Sequence, residues 1–166
     1  MIIKVVTIDM AKDVIEFVKQ TSGETANLIT TPEEFNITLE QEQSHIQNQL
    51  DSRLANMIVA VINNEIVGLC GLHGRDGRTR ISHVASLGIT IKRSHWGKGI
   101  GYSLMKSQID YCINNKIAKI NLEVRTDNIP AIKLYQKCGF QIEGTNRRSM
   151  LIDGDFVDTL YMGITL

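Results

Sequence analysis

The sequence predicts a mixed α/β fold built around one sheet. Three observations predict it: β-branched runs that alternate with period two, helical apolar stripes between them, and turn-forming residues at the junctions. The main elements run β-α-α-β-β-β-α-β-α-β-β. No internal repeat appears, and no linker is long enough to divide the chain, so residues 1–166 are expected to form a single domain.

Each element has its own signal. Ile2-Ile3-Lys4-Val5-Val6-Thr7-Ile8 is β-branched and predicts a strand. Asp9 predicts the cap of a first helix reaching about Gln20, with Val14, Ile15 and Val18 as its apolar stripe. Thr31-Pro32-Glu33-Glu34 and Thr38-Leu39-Glu40-Gln41 both fit a capping box, so a short helix and a longer one to about Arg53 are expected. Strands at about 57–62 and 65–72 follow, joined at Asn63-Asn64, where Asn tolerates the left-handed conformation of a tight hairpin. Residues 74–80, GRDGRTR, predict a polar loop.

In the strand of about 81–91, Ala85, Leu87, Ile89 and Ile91 share one face, and Gly88 suggests a bulge. A glycine-rich turn at 96–101 opens a helix to about Asn115 that packs through Gly101, Met105, Ile109 and Cys112. A strand of about 118–124 is followed by a helix of about 129–138, with Pro130 in its first turn and Gly139 just past its end. Strands of about 140–152 and 155–165 close the chain, turned at Asp153-Gly154, a strong type I′ signal.

Composition excludes several classes of function. Hydrophobic residues make up 43% and charged residues 22%, enough apolar material for a core. Lys+Arg and Asp+Glu number 18 each, so the basic excess of a nucleic-acid binder is missing and no nucleic-acid partner is expected. Two prolines and no low-complexity run exclude disordered and fibrous classes. The N-terminal apolar stretch ends at Asp9, short of a signal peptide, and no window approaches the roughly 18 apolar residues of a membrane span. Cys70, Cys112 and Cys138 are odd in number and form no C-x-x-C pair, which predicts buried free thiols in a reduced compartment. A soluble cytoplasmic protein without a membrane partner is expected. His45, His73, His83 and His95 show no i, i+4 pair, so no metal is expected.

The neutral total hides an asymmetry. Residues 1–55 carry four basic side chains, Lys4, Lys12, Lys19 and Arg53, against nine acidic ones. The excess of positive charge therefore falls in residues 56–166. Such a division suits a C-terminal half that holds a polyanion and an N-terminal half that meets a cation.

The segment Lys92-Arg93-Ser94-His95-Trp96-Gly97-Lys98-Gly99-Ile100-Gly101 follows a strand and opens a helix. Glycines there let backbone N–H groups converge on phosphate oxygens, and the helix N-terminus adds its positive dipole end. Lys92, Arg93 and Lys98 supply mobile positive charge. A phosphate cradle is expected. A P-loop requires Lys-Ser/Thr after its second glycine, and here Gly97-Lys98 leads into Gly99. The dinucleotide fingerprint needs a third glycine where Tyr102 stands. A methyltransferase-type G-x-G-x-G does match, with Glu123 ending the next strand, but that loop normally follows its strand at once and opens a larger sheet.

These residues resemble the GNAT acyltransferase superfamily, which binds acetyl-CoA. The family's loop is Gln/Arg-x-x-Gly-x-Gly/Ala, and Trp96-Gly97-Lys98-Gly99-Ile100-Gly101 is similar to it except that Trp96 replaces Gln or Arg. Asn128-Ile129-Pro130-Ala131-Ile132-Lys133-Leu134-Tyr135-Gln136-Lys137-Cys138-Gly139-Phe140 resembles the family's N-x-x-A-x-x-L-Y-x-x-x-G-F. The order of elements also agrees from Met1 to Leu166. From Gly139 to Asp158 the tail resembles the branch of amino-acid N-acyltransferases and ribosomal-protein N-terminal acetyltransferases, although Arg147 and Arg148 also fit solvated strand positions.

The resemblance implies a mostly antiparallel sheet of about seven strands with a central splayed parallel pair, flanked by about four helices. It implies that acetyl-CoA meets the backbone of Ile89 and Ile91 and the loop residues Trp96, Gly97, Lys98, Gly99, Ile100 and Gly101, together with Asn128 and Tyr135. Spacing alone makes Tyr135 a core residue, since Ala131, Leu134, Tyr135 and Cys138 form an apolar stripe, and makes Asn128 a cap. The resemblance adds that Tyr135 protonates the departing CoA thiolate.

Glu123, in Asn121-Leu122-Glu123-Val124-Arg125, stands twelve residues before Tyr135 and resembles the base of the ribosomal-protein enzymes. A strand-end ion pair is its other reading, Glu65 and Glu24 are further candidates, and a water relay is another route for the proton. The reaction implied is direct acetyl transfer to a primary amine of a small molecule or a protein or peptide N-terminus. Glu24 is expected at the acceptor. A non-catalytic acyl-CoA sensor is the alternative, and a homodimer is compatible with either.

Overall fold

The structure, a computed structural model, describes residues 1–75 and 77–166. Of the expected polar loop at 74–80, Asp76 lies outside the described residues. Among the described residues, the β-branched runs form β1 (Ile2–Val5), β2 (Ala55–Ile62), β3 (Glu65–Gly74), β4 (Val84–Ile91), β5 (Lys119–Arg125), β6 (Gln141–Ile152) and β7 (Asp155–Thr165). The helical stripes form α1 (Ala11–Glu24), α2 (Leu39–Asp51), α3 (Ile100–Asn114) and α4 (Ile129–Lys137). The strands join one sheet in the order β1-β2-β3-β4-β5-β7-β6. Every neighbouring pair is antiparallel except β4 and β5, which run parallel.

Period-two alternation explains how both sheet faces are covered. On β2, Met57 and Val59 pack beneath α1 and α2 with Val14, Phe17 and Ile46. Ile58 and Ala60 point the other way, into a second cluster with Leu104 and Met105 of α3. Tyr135 and Ile132 of α4 join that same cluster beside Leu122 and Val124 of β5. Each fully buried large apolar side chain contributes roughly 1.5–3 kcal/mol, so the two clusters hold the helices in place on the sheet. Among the described residues, no helix is long and apolar enough to cross a membrane.

The hairpin signals hold where the backbone demands them. Asn63 and Asn64 have φ of 50° and 62°, and Asp153 and Gly154 have φ of 52° and 90°, as a type I′ turn requires. Thr38 closes a full capping box with Gln41 at the start of α2.

Four expectations are corrected. Asp9 does not cap α1; it sits in a 3₁₀ turn at Ile8–Met10, and α1 starts at Ala11 and continues to Glu24. The Thr31-Pro32-Glu33-Glu34 box makes one turn, with Thr31 N–H donating to Glu34 Oε2 at 2.9 Å, but no helix follows. The six residues between Thr31 and the next cap, Thr38, return too few hydrogen bonds to offset the cost of nucleation. The strand expected at 81–91 begins at Val84, because Thr79–Ile81 forms a 3₁₀ turn. Gly88 makes no bulge against β3, where the register runs unbroken through Gly71↔Gly88.

Candidate active site

The loop between β4 and α3 is anchored before it opens. Lys92, the first residue past β4, is 7% exposed; its ammonium pairs with the Glu65 carboxylate and its N–H donates to Val67 O at 3.0 Å. It is therefore a fixed structural charge rather than the mobile one expected. After a 3₁₀ turn at Arg93–His95, the Trp96 indole Nε1–H donates back to Ile91 O at 2.8 Å. Arg93 lies 5.9 Å over the Trp96 ring, and Glu24, at the end of α1, accepts from Arg93 N–H at 2.6 Å through Oε2. Arg93 and Lys98 are exposed.

The cradle itself is bare backbone. Gly97 and Gly99 adopt φ of 72° and 77°, and a Cβ on either would meet nothing within 4 Å. Gly99 is the N-cap of α3 and offers no side chain to its first turn. The leading N–H groups of that helix have no intrahelical acceptor and stand at the positive end of the helix dipole. This arrangement fits a phosphate group. Gly101 does a different job: a Cβ there would lie 2.8 Å from Leu134 Cδ2 and 3.1 Å from Ile91 Cδ1, so its bareness lets α3 lie close to β4 and α4.

Beside the cradle the sheet opens. β4 and β5 pair only at Val84↔Lys119, Ala85↔Ile120 and Ser86↔Asn121. Beyond that point β4 continues to Ile91 with β3, and β5 continues to Arg125 with β7. Each keeps an antiparallel ladder on its outer side, so the two can part without unpairing either. The inner edge of Leu87–Ile91 is left without a strand partner. Ile89 and Ile91 are half-buried and turned toward α3. Gly88 lies on the opposite face with open space around it. At the head of the gap Asn121 carries a buried Oδ1 that has no hydrogen-bond partner.

Tyr135 lines the helix side of this region. Its ring packs against Phe140 with centroids 6.1 Å apart. Burial, reinforced by the nearby Cys70 and Cys138, pushes its phenol above the ordinary tyrosine range, so it stays protonated. Asn128 caps α4 by accepting from Ala131 N–H at 3.4 Å.

Glu123 lies on the other face of β5, since its neighbours Leu122 and Val124 pack with Tyr135. Its Oε1 accepts from Thr159 Oγ1, from Ser149 Oγ at 2.8 Å and from Asn146 Nδ2 at 3.1 Å. Partial burial pushes its pKa up, yet the three hydrogen bonds together outweigh that and leave it below the ordinary glutamate range. Glu123 is ionised at neutral pH and is not a salt-bridge partner.

The structure thus puts Ile89, Ile91, Ile100 and Tyr135 in one apolar cluster on the α3–α4 side, sets Glu123 on the opposite face of β5, and shows Asn128 as the cap of α4. Glu24 sits apart, against the approach to the cradle. The sequence reading did not identify Thr159, Ser149 and Asn146. It also passed over Gln108, a fully buried residue of α3 whose Nε2 donates to Asn56 O and Cys70 O at 3.0 Å while its Oε1 accepts from Asn56 Nδ2 at 2.9 Å. A polar residue on an apolar face was its only signal. The thiols are poor nucleophiles here: burial pushes Cys112 up to about 12 and raises Cys70 and Cys138 as well. Among the described residues, no group of three or more His, Cys, Asp or Glu side chains is placed to hold a metal.

A parallel pair that parts beside a bare helix N-terminus marks the fold, and comparison with known proteins identifies the family. Residues 24–140 match the acetyltransferase (GNAT) family, and the chain belongs to that family. It is similar to an L-amino acid N-acetyltransferase of Escherichia coli, 40% identical over 106 residues that cover 63% of this chain and 65% of the relative. It is also similar to the crystal structure of a GNAT-family acetyltransferase from Streptococcus pneumoniae, with a TM-score of 0.96 and 28% identity over 99% of this chain and 98% of that one. A Salmonella typhimurium structure solved with acetyl-CoA shares the fold, with a TM-score of 0.87 and 14% identity over 99% and 93% of the two chains. The matched stretches span only 47–65% of the length of the first three curated relatives.

Proposed function

We propose that this chain is an acetyl-CoA-dependent N-acetyltransferase acting on a primary amine, either a small molecule or a protein or peptide N-terminus. The observation that carries the reading is the gap between β4 and β5 opening beside the Gly97–Gly99 cradle, with Tyr135 on one side of it and Glu123 on the other. The chain's similarity to N-acetyltransferases supports it.

In this reading the pyrophosphate of acetyl-CoA rests on the backbone of 97–101, with Arg93 and Lys98 as outer charges. The pantetheine arm pairs with the free inner edge of β4 around Ile89 and Ile91. A backbone N–H of that edge polarises the thioester carbonyl and stabilises the oxyanion. The amine attacks directly; no acyl-cysteine intermediate is formed, in keeping with three thiols held protonated. Tyr135, held protonated by burial, gives its proton to the departing CoA sulfur. The Glu123 carboxylate attracts the amine as a cation and takes one proton from it, directly or through water, so that the neutral amine attacks; the second N–H proton leaves through water as the intermediate collapses and restores the Tyr135 phenol. Glu24 belongs to this site through the cradle's approach, where it holds the Arg93 amide, and it lends negative charge to the nearby acceptor side.

The same reading takes residues 1–166 as one catalytic domain, because one sheet runs through all of it. Cys70 and Cys112 are buried and Cys138, expected to be buried too, is only partly so; three free thiols suit the reduced cytoplasm. Exposed Leu151 and Phe156 near the β6–β7 turn give a second copy an apolar surface to meet. The test is a screen for acetyl-CoA-dependent thiol release across amino acids, polyamines, peptides and aminoglycosides. Release with at least one amine supports the enzyme. Tight acetyl-CoA binding without release on any amine supports the sensor instead.

A further inference from the structure

Glu123 is an exposed strand residue whose carboxylate is nonetheless fixed, and the fixing groups come from two other strands. Thr159 of β7 is buried at 2% exposure, and Asn146 stands opposite it in β6. The β6–β7 register runs to Asn146↔Thr159 and resumes at Met150↔Val157, so β6 carries two extra residues there. Arg148 takes φ of 54° within this bulge, and its N–H donates to Asp158 Oδ1 at 2.7 Å. Bulges re-aim side chains. This one brings Ser149 Oγ to the same Glu123 oxygen that Thr159 and Asn146 reach, and Asn146 Nδ2 also donates to Ser149 Oγ at 3.2 Å. All three bonds end on Oε1; no hydrogen bond to Oε2 occurs among the described residues.

We propose that Thr159, Ser149 and Asn146 are positioning residues that saturate Glu123 Oε1 and so make Oε2 the atom that meets the acceptor amine or its water. The inference rests on the acetyl-transfer reading of this site and specifies the acceptor end of it. A carboxylate oxygen offers about two lone-pair sites, so three donors leave Oε1 no capacity for a substrate proton. The clamp also fixes the direction of Oε2, which an exposed glutamate side chain would otherwise lose to rotation. It favours a cationic amine over an anionic acceptor, because the carboxylate stays charged and faces the gap with one oxygen bare.

The charged and titratable groups on the strands around it are otherwise committed or distant. Arg125 is tied to Asp127 by two hydrogen bonds, Lys119 pairs with Glu143, and Asp158 accepts from Arg148 N–H. Tyr161 stands opposite Glu123 in β7, and Arg147 belongs to the bulge. The Glu123 shift comes chiefly from burial and the three donors.

The clamp is tested by carboxyl ¹³C NMR titration of Glu123 in the parent, Thr159→Val, Ser149→Ala and Thr159→Ser. The midpoint is expected to rise in the first two variants and to return toward the parent in the third. An unmoved midpoint in folded Thr159→Val and Ser149→Ala proteins overturns the clamp, and this holds even if no amine is acetylated. With an amine from the thiol-release screen, Ser149→Ala should move the acid limb of kcat/KM upward. Thr159→Val should lower kcat/KM roughly 10-fold, in line with loss of a hydrogen bond to a charged group, leaving acetyl-CoA affinity unchanged. Adding Thr159→Val to Glu123→Gln should cost nothing further. A full additional loss in that background would show that Thr159 does not act through Glu123.

Discussion

Gly88 and Glu123 stand at matching positions across the gap, each two residues beyond Ser86↔Asn121, the last pair that joins β4 to β5. Both lie on the sheet face away from Tyr135, so the missing side chain at Gly88 opens the space in front of the Glu123 carboxylate. A Cβ at Gly88 would touch nothing within 4 Å, and the fold should therefore accept Gly88→Val. The valine methyls would occupy the route by which an amine reaches the thioester. Acetyl transfer should fall on the order of 100-fold, as displacement of a reacting group by about 1 Å does, while thermal stability stays near the parent's. Steady-state kinetics beside a melting curve checks this; parent-like kinetics would mean that the acceptor takes another path.

Gly99 should be read by a residue that tolerates its backbone. At φ of 77° valine would be strained, whereas asparagine enters the left-handed region readily. Gly99→Asn should fold and yet place a side chain where the pyrophosphate rests. Calorimetry is expected to show acetyl-CoA affinity weakened by at least roughly 10-fold, the loss of about one good hydrogen bond to a charged group. Parent-like affinity in the folded variant would remove the cradle from the site.

Tyr135→Phe keeps the ring that packs on Phe140 and removes only the hydroxyl. Loss of a positioned acid costs about 10²–10⁴-fold in rate, and kcat should fall within that range with acetyl-CoA binding little changed. Because the phenol is held above its ordinary range, the parent should show no loss of activity from Tyr135 ionisation as pH rises through neutrality. Equal kcat in parent and variant would leave Tyr135 as a core residue only.

Gln108→Leu tests how the cradle is held. The substitution leaves Asn56 Nδ2 and the carbonyls of Asn56 and Cys70 without the partner that α3 supplies. Each unsatisfied buried group costs about 1–3 kcal/mol. Urea unfolding should show a loss of at least about 2 kcal/mol on that scale, with weaker acetyl-CoA binding as α3 loosens. An unchanged unfolding midpoint would show that apolar packing alone seats the helix.

What was legible in the sequence followed from local backbone demands. Asn63-Asn64 and Asp153-Gly154 announce their hairpins because few residue types adopt positive φ at both turn positions. The Gly97–Gly99 loop is legible for the same reason, and the family resemblance then implied a mostly antiparallel sheet with one central parallel pair, as the structure has it. The charge of Lys92 misled, because composition does not show that a lysine beside a strand end will be buried against Glu65. The turn at Thr31 misled in the opposite sense: it has the chemistry of a helix start and no apolar stripe to sustain one. Glu123 was identified by its spacing to Tyr135, yet its surroundings were not. Its three donors lie 23, 26 and 36 residues away, and one of them, Ser149, depends on extra residues in β6 that leave no local pattern.

The central claim is that an acetyl group passes from acetyl-CoA to an amine in the gap between β4 and β5. The most direct measurement is mass spectrometry of the parent protein's reaction with acetyl-CoA labelled in the acetyl group, run across an amine panel beside Tyr135→Phe and Gly88→Val. A product heavier by the labelled acetyl group is expected on at least one cationic amine, strongly reduced with either variant. Acetyl-CoA consumed with no acetylated amine, or an acetylated amine formed equally by all three proteins, would contradict it.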